Sequence, residues 1–278
     1  MKKLLRILFI TVVTLPLASA QSEEKIKGNR NVTIQQTYVD DFHSILVDGD
    51  FSIEMVYNSK PSVNIEADEN LHEVIDFNVV DGVLTFIEKV RISSKKKLNI
   101  TVNYGDLLSN IETRGDGEIR SLTSMELNDV TLVTADNSRA YLNIIAKSFD
   151  YKSSGKSKTR LNLTADSVKI ELSDNTKLDA LVTSKIADFD LYQRADAVIE
   201  GNTNSSVLRL DNSTNFNGEK FDVKSADISV EDSSDLTISA VDNITISASG
   251  NSEIYLYGNS TITITKFGDT AKLQKKKY

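Results

Sequence analysis

A unit of about 19 residues recurs nine times along this chain and limits what it can fold into. Successive units begin 21, 19, 19, 19, 19, 20, 18 and 18 residues apart. Each unit carries a large apolar residue, followed four positions later by a residue type that favours tight turns. The apolar positions are Ile111, Leu132, Tyr151, Ile170, Phe189, Leu208, Ile228, Ile246 and Ile264. The turn positions are Gly115, Asp136, Gly155, Asp174, Gln193, Asn212, Asp232, Gly250 and Gly268, among which only Gln193 is not Gly, Asp or Asn.

This repeat predicts an all-β parallel β-helix in a single domain, because apolar and polar residues alternate within each unit and the pattern never reverses as it does in an antiparallel meander. Stacked coils lie about 4.8 Å apart, so nine of them form a rod about 40 Å long. We expect a right-handed helix, the usual sense of parallel crossovers. A second inward file is predicted at Ile119, Ala140, Thr159, Leu178, Ala197, Phe216, Leu236 and Ile254.

The first twenty residues are predicted to be a signal peptide. They combine basic residues, an apolar run and a closing Ala-Ser-Ala, which predicts cleavage between Ala20 and Gln21. Its removal takes three cations and no carboxylate, so the formal charge moves from −8 to −11. The absence of Cys excludes disulfides, a thiol nucleophile and a cysteine zinc site. We expect no further membrane span, no nucleic-acid partner and repulsion from anionic membranes.

The remaining residues divide around the repeat. Residues 21–37 are a lead-in, and residues 38–270 form the domain. Within it, 38–108 are predicted to be an irregular β cap, with one short helical candidate and a hairpin at Asp81-Gly82. Residues 109–270 form the regular coils. The basic end at 271–278 is expected to block strand pairing beyond the last coil.

No pattern identifies a catalytic residue, a cofactor site or a metal site. His43 and His72 are isolated in the sequence. The corner carboxylates Asp136, Asp174 and Asp232 never occupy adjacent units, as a hard-cation site requires. We therefore interpret them as turn residues.

One outward file separates its charges. Arg139, Lys158 and Lys177 follow one another in successive units, between Glu118 and Asp196. If these cations stack about 4.8 Å apart, they repel one another and form a stripe suited to an anionic partner. The alternative is an incidental mixed-charge surface, in which the two flanking carboxylates act as counter-charges.

Several segments resemble the family of putative auto-transporter adhesins with a head GIN domain, which bacteria export. They read DDFHSILVDGDFSIEMVYN, SVNIEADENLHEVIDFNVVDGVLTFIEK, and LNITVNY leading into LSNIETRGDGEI. The resemblance extends over roughly residues 38–270. It implies a β-helical protein of the cell envelope and, by the family's name, adhesion. It carries no catalytic residues over to this chain.

The sequence therefore favours an exported, non-enzymatic envelope or cell-surface protein in the periplasm or outside the cell. It would bind a glycan or an envelope or host protein along one face of the β-helix. Two alternatives stay open: a carbohydrate-active enzyme, either a polysaccharide lyase or a hydrolase, and a purely structural periplasmic protein. Spacings of 18 to 21 residues leave little room for the corner insertions that build a catalytic groove.

Overall fold

The computed structural model describes residues 25–277 and shows a β-solenoid of about nine turns with about 19 residues per coil. The predicted signal peptide and its cleavage site at Ala20 and Gln21 lie outside the described residues. A search of residues 25–277 finds no helix with the length and apolar character needed to cross a membrane.

The strands and the single 3-10 helix follow one another along the chain. They are β1 (Lys25–Lys27), β2 (Val32–Tyr38), β3 (Ser44–Val47), β4 (Ser52–Tyr57), β5 (Ser62–Asp68), the 3-10 turn Glu69–Leu71, β6 (Ile75–Val80), β7 (Val83–Glu88), β8 (Arg91–Ser94), β9 (Leu98–Tyr104), β10 (Asn110–Thr113), β11 (Glu118–Ser121), β12 (Met125–Glu126), β13 (Asp129–Thr134), β14 (Arg139–Ser153), β15 (Lys158–Leu172), β16 (Lys177–Leu191), β17 (Asp196–Leu210), β18 (Asn215–Val230), β19 (Asp235–Ala248), β20 (Glu253–Tyr257), β21 (Thr261–Phe267) and β22 (Lys272–Lys275).

The central strands β14 to β19 each pair in parallel with the strand of the next coil. Along β14, buried residues alternate with more accessible ones, and the phase of this alternation changes around Lys147. Each long strand therefore contributes to two faces of the rod. We call the face formed by 139–145 and its register partners the groove face.

Both predicted inward files form the core. From Ile111 to Ile246 every member of the first file is at most 1% exposed, and every member of the second file is buried. Ile264 is the exception, because it is 52% exposed. Its strand β21 pairs with β19 on one side, and no further coil of the described chain covers it. The prediction of a buried residue at this position was wrong.

The predicted corners adopt left-handed backbone at eight of nine positions, from Gly115 to Gly250. Gln193 also has a φ of 63°, although its type is unusual there. In the last coil, the positive φ of 56° falls at Asp269 instead of Gly268. A bulge explains this shift: Ile264 pairs with Ile246 but Lys266 pairs with Ser247, so the corner comes one residue later.

The solenoid also continues into the N-terminal third. Ile45 of β3 pairs with Ile111, and Ile53 of β4 pairs with Ile119. Gly49 has a φ of 88° at the corner between these two strands. The segment 58–109 separates this coil from the next one along the chain, which removes the 19-residue period from the sequence but not from the stacking.

The inserted segment supplies the end of the rod. Within it, β7 and β9 pair in parallel with β3 and β4. The antiparallel strands β6, β5 and β2 are added outside them. The predicted hairpin is present, with Val80 opposite Val83 and positive φ at Asp81 and Gly82. The helical candidate forms only the 3-10 turn.

Candidate binding face

The predicted cation stripe exists as a file of in-register neighbours. Arg139 pairs with Lys158, Lys158 with Lys177, and Lys177 with Asp196. Glu118 precedes Arg139 in the same file. Among the residues that the structure describes, none of the three cations forms an ion pair within 4.0 Å.

The two flanking carboxylates are bound elsewhere. Glu118 accepts a hydrogen bond from the Arg120 guanidinium, and this contact raises the pKa of Arg120 above its ordinary value. Asp196 accepts a hydrogen bond from the side-chain amide of Asn215, at 2.8 Å. The charge of the stripe is therefore not neutralised by direct contacts with its neighbours in the file.

A second outward file runs beside the stripe and contains Arg120, Tyr141, Arg160, Asp179 and Val198. The Arg120 guanidinium lies 5.1 Å from the centre of the Tyr141 ring, in the range of a cation–π contact. Arg160 and Asp179 form an exposed ion pair at 3.7 Å. Exposed pairs of this kind are weak and exchange readily for a ligand.

A third file contributes polar and apolar contacts. Asn143, Asn162, Leu181 and Glu200 are in register in four successive coils. Leu181 is 48% exposed, and Val198 in the adjoining file is 37% exposed. Between the second and third files lies a groove of about 580 Å³, which Tyr141, Arg160, Leu181 and Val198 help to line.

The groove continues towards the cations. A smaller pocket of about 360 Å³ lies against Lys158 and Lys177 and shares Tyr141, Arg160 and Val198 with the groove. An apolar and aromatic channel therefore has cationic side chains along one side. The sequence predicted the stripe but not the groove.

A bulge in β18 limits the groove at one end. The pairing of β17 with β18 changes register between Val198 and Glu200. Lys220 of the bulge forms an ion pair with Glu200 at 3.2 Å. The one 20-residue spacing in this part of the repeat, between Leu210 and Val230, is the sequence signal that locates the extra residue.

A separate cleft of about 890 Å³ lies at the other end of the stripe, where it includes Arg139. Its lining mixes cations and carboxylates: Lys25, Asp50, Glu88, Lys89, Arg91 and Asp116. Because both signs of charge are present, this cleft defines no preference for an anion.

The other polar candidates are held in structural contacts. His72 lies 3.0 Å from the Thr33 hydroxyl, whereas His43 packs beside Gly82 in another part of the cap. The Asp136 and Asp174 carboxylates accept hydrogen bonds from backbone N–H groups of the preceding coil. Within residues 25–277, no group of three or more His, Cys, Asp or Glu side chains is arranged to hold a metal ion.

The fold and this face define a β-solenoid protein with a partly apolar, cation-edged groove on its side. The chain belongs to the family described as putative auto-transporter adhesin, head GIN domain, whose model matches residues 41–183 and 162–260. No curated protein is similar enough to count as a match.

Solved structures share the fold. A putative adhesin from Parabacteroides distasonis is 18% identical, with a TM-score of 0.68 over 91% of this chain and 100% of the other. A putative adhesin from Parabacteroides merdae is also 18% identical, with a TM-score of 0.63 over 91% and 99%. A putative lipid binding protein from Parabacteroides distasonis is 17% identical, with a TM-score of 0.59 over 91% and 99%. At these identities the likeness shows the fold alone.

Proposed function

We propose that this chain is an exported, non-enzymatic surface protein that binds a linear acidic partner, a glycan or a protein segment, along the groove face. One observation carries the proposal: Arg139, Lys158 and Lys177 lie in file without a carboxylate partner, beside a groove with exposed apolar side chains. Membership of a family named for adhesion supports a binding role.

The stripe favours a ligand that runs along the rod. Neighbouring coils lie about 4.8 Å apart, so like charges on adjacent strands repel one another. A linear polyanion parallel to the rod axis meets one cation per coil at Arg139, Lys158 and Lys177 and relieves this repulsion. Electrostatic complementarity of this kind contributes to specificity and to the rate of association.

The groove supplies the uncharged contacts. Tyr141, Leu181 and Val198 offer apolar surface to a sugar ring or to an aliphatic side chain. The Asn143 and Asn162 side chains provide amide donors and acceptors for hydroxyl or carbonyl groups. A ligand that uses both sides of the site is therefore acidic and partly apolar.

A charge-reversal variant tests the stripe. Arg139→Glu, Lys158→Glu and Lys177→Glu are combined, and binding is measured against a sulfated glycosaminoglycan, dextran and poly-glutamate. We expect the affinity for at least one acidic probe to fall by about tenfold or more, and the affinity of the parent to fall with salt. The matched control combines Lys156→Glu, Lys169→Glu and Lys224→Glu, which makes the same change in charge away from the stripe.

The outcomes separate the possibilities. A parent that binds no acidic probe, or two variants that lose binding equally, would overturn the assignment of this face. Preference for the glycan or for poly-glutamate identifies the class of partner. If the glycan is shortened during incubation, with or without calcium, the protein is an enzyme and the non-enzymatic role is wrong.

Location is tested on cells. Protease treatment of intact cells, with lysed cells as the control, reports whether the rod is accessible from outside. Digestion on intact cells supports a surface role. Protection until lysis places the protein in the periplasm and contradicts it.

A further inference from the structure

The C-terminal end of the solenoid is an open end of the core. We call residues 258–277, which contain β21 and β22, the tip. In the described chain β21 pairs only with β19 and β22 only with β20, so each has one unpaired edge. The inward-file residues Ile262, Ile264 and Phe267 are 39%, 52% and 43% exposed, whereas their counterparts one coil earlier are at most 1% exposed.

The tip also reverses the charge of the rod. It contains five lysines and a single carboxylate, Asp269, for a net charge of +4. The coils just before it, residues 196–257, contain eleven carboxylates and three cations, for a net charge of −8. Positive charge is therefore concentrated at the same end as the exposed apolar side chains.

Two of the tip lysines are already engaged. Lys272 forms an ion pair with Glu253 at 2.7 Å, and Lys276 lies 4.6 Å from the centre of the Tyr255 ring. Lys266, Lys275 and Lys277 are exposed and form no ion pair within the described chain. These three are free to contact an external anion.

We propose that the tip docks end-on onto an anionic lipid bilayer. Exposed apolar side chains enter the boundary between headgroups and acyl chains, and nearby lysines bind anionic headgroups, the two signals that together give stable peripheral binding. Water and headgroups at this depth satisfy the unpaired strand edges, which the hydrocarbon interior does not.

Charge favours a bilayer over a second copy of this chain. Two tips placed end to end bring together surfaces of net charge +4, which repel one another. With a bilayer, the tip lies within one Debye length of the surface, about 8 Å at physiological salt. Most of the acidic coils lie further away, so the interaction orients the rod upright instead of along the membrane.

The test uses vesicles of phosphatidylcholine alone and vesicles with equal parts of phosphatidylcholine and phosphatidylglycerol. Co-sedimentation is measured for the full chain and for the form that begins at Gln21. In one variant Lys266→Glu and Lys275→Glu reverse the charge, and in another Ile264→Thr and Phe267→Thr remove the apolar contact. The control combines Lys169→Glu and Lys224→Glu, which makes the same charge change away from the tip.

We expect preferential binding of the parent to the anionic vesicles, a loss of about tenfold or more in the charge variant, and little change in the control. The threonine variant is expected to lose binding while its circular dichroism spectrum is retained. Equal binding to both vesicle types, or equal losses in the charge variant and the control, would overturn the proposal. It is also overturned if the parent sediments as a dimer without lipid and the threonine variant is monomeric, because the tip is then an interface between copies.

Discussion

The Asp174 carboxylate lies 2.8 Å from the backbone nitrogen of Gly155 in the preceding coil and accepts its hydrogen bond. The same relationship joins Asp136 to Gly115 at 3.0 Å, Gln193 to Asp174 at 2.6 Å and Asp269 to Gly250 at 2.9 Å. A residue with left-handed backbone at one corner thus caps the corner of the coil before it. This contact explains why acceptor side chains recur at positions where Gly alone would fit the backbone.

We predict that Asp174→Ala lowers the free energy of unfolding by about 1–2 kcal/mol, because Ala disfavours left-handed backbone and lacks the acceptor. Asp174→Asn is expected to cost less than half as much, since Asn tolerates this conformation and retains an acceptor oxygen. Urea unfolding followed by circular dichroism measures both. Equal losses in the two variants would show that the hydrogen bond contributes nothing.

The inward and outward files predict opposite effects for two leucines of β16. Leu178 is 1% exposed in the core, whereas Leu181 is 48% exposed in the groove. We expect Leu178→Ala to lower the free energy of unfolding by about 2–5 kcal/mol. Leu181→Ala should change it by less than about 0.5 kcal/mol but weaken ligand binding. Urea unfolding and binding to the acidic probe measure the two effects, and a similar stability loss in both variants contradicts the file assignment.

Much of the core and its corners follows from sequence, because each position repeats many times. The inward positions from Ile111 to Ile246 and the corner positions from Gly115 to Gly250 are of this kind. The last coil escapes the pattern because a single bulge at Thr265 moves its corner to Asp269. The coil of β3 and β4 escapes it because an insertion separates that coil from the repeat.

Buried hydroxyls and the groove are harder to infer. Ser138, Ser157 and Thr176 are at most 1% exposed, although their types are common at a surface. Their neighbour Tyr151 is buried in a hydroxyl cluster with Thr134 and Ser153, which the sequence pattern assigned only to the apolar core. The groove depends on how outward side chains pack and on the bulge in β18, whereas alternation identifies only which residues face outward.

Gly201 predicts a steric effect inside the sheet. Its φ is 111°, and a Cβ atom there would lie 2.1 Å from the carbonyl oxygen of Val182 on the preceding coil. We expect Gly201→Ala to lower the melting temperature clearly, because the two backbones would have to separate. Gly268→Ala is the matched control, since its Cβ would meet nothing within 4 Å. Equal melting temperatures of Gly201→Ala and the parent would contradict the close approach.

Asp68 ties the lead-in to the cap through backbone groups. Its fully buried carboxylate accepts hydrogen bonds from the backbone nitrogens of Lys96 at 3.0 Å and of Arg30 and Lys97 at 3.3 Å. Burial acts to raise the pKa of Asp68, but the N–H groups of Lys96, Arg30 and Lys97 outweigh it and lower the pKa from 3.8. A carboxyl whose pKa is lower in the folded state stabilises the protein above pH 3.8, and this contribution is lost as the pH falls through that value towards the folded pKa.

We therefore predict that Asp68→Asn melts at a lower temperature than the parent at neutral pH, because the amide brings donors towards three N–H groups and has one acceptor oxygen. The difference should narrow as the pH falls to about 3, where the parent carboxyl begins to take up its proton. Thermal unfolding at both pH values measures the change. Asp242→Asn, at an exposed position, is the control and should melt close to the parent throughout. A difference between Asp68→Asn and the parent that does not change with pH would show that the charge of Asp68 is not what stabilises the cap.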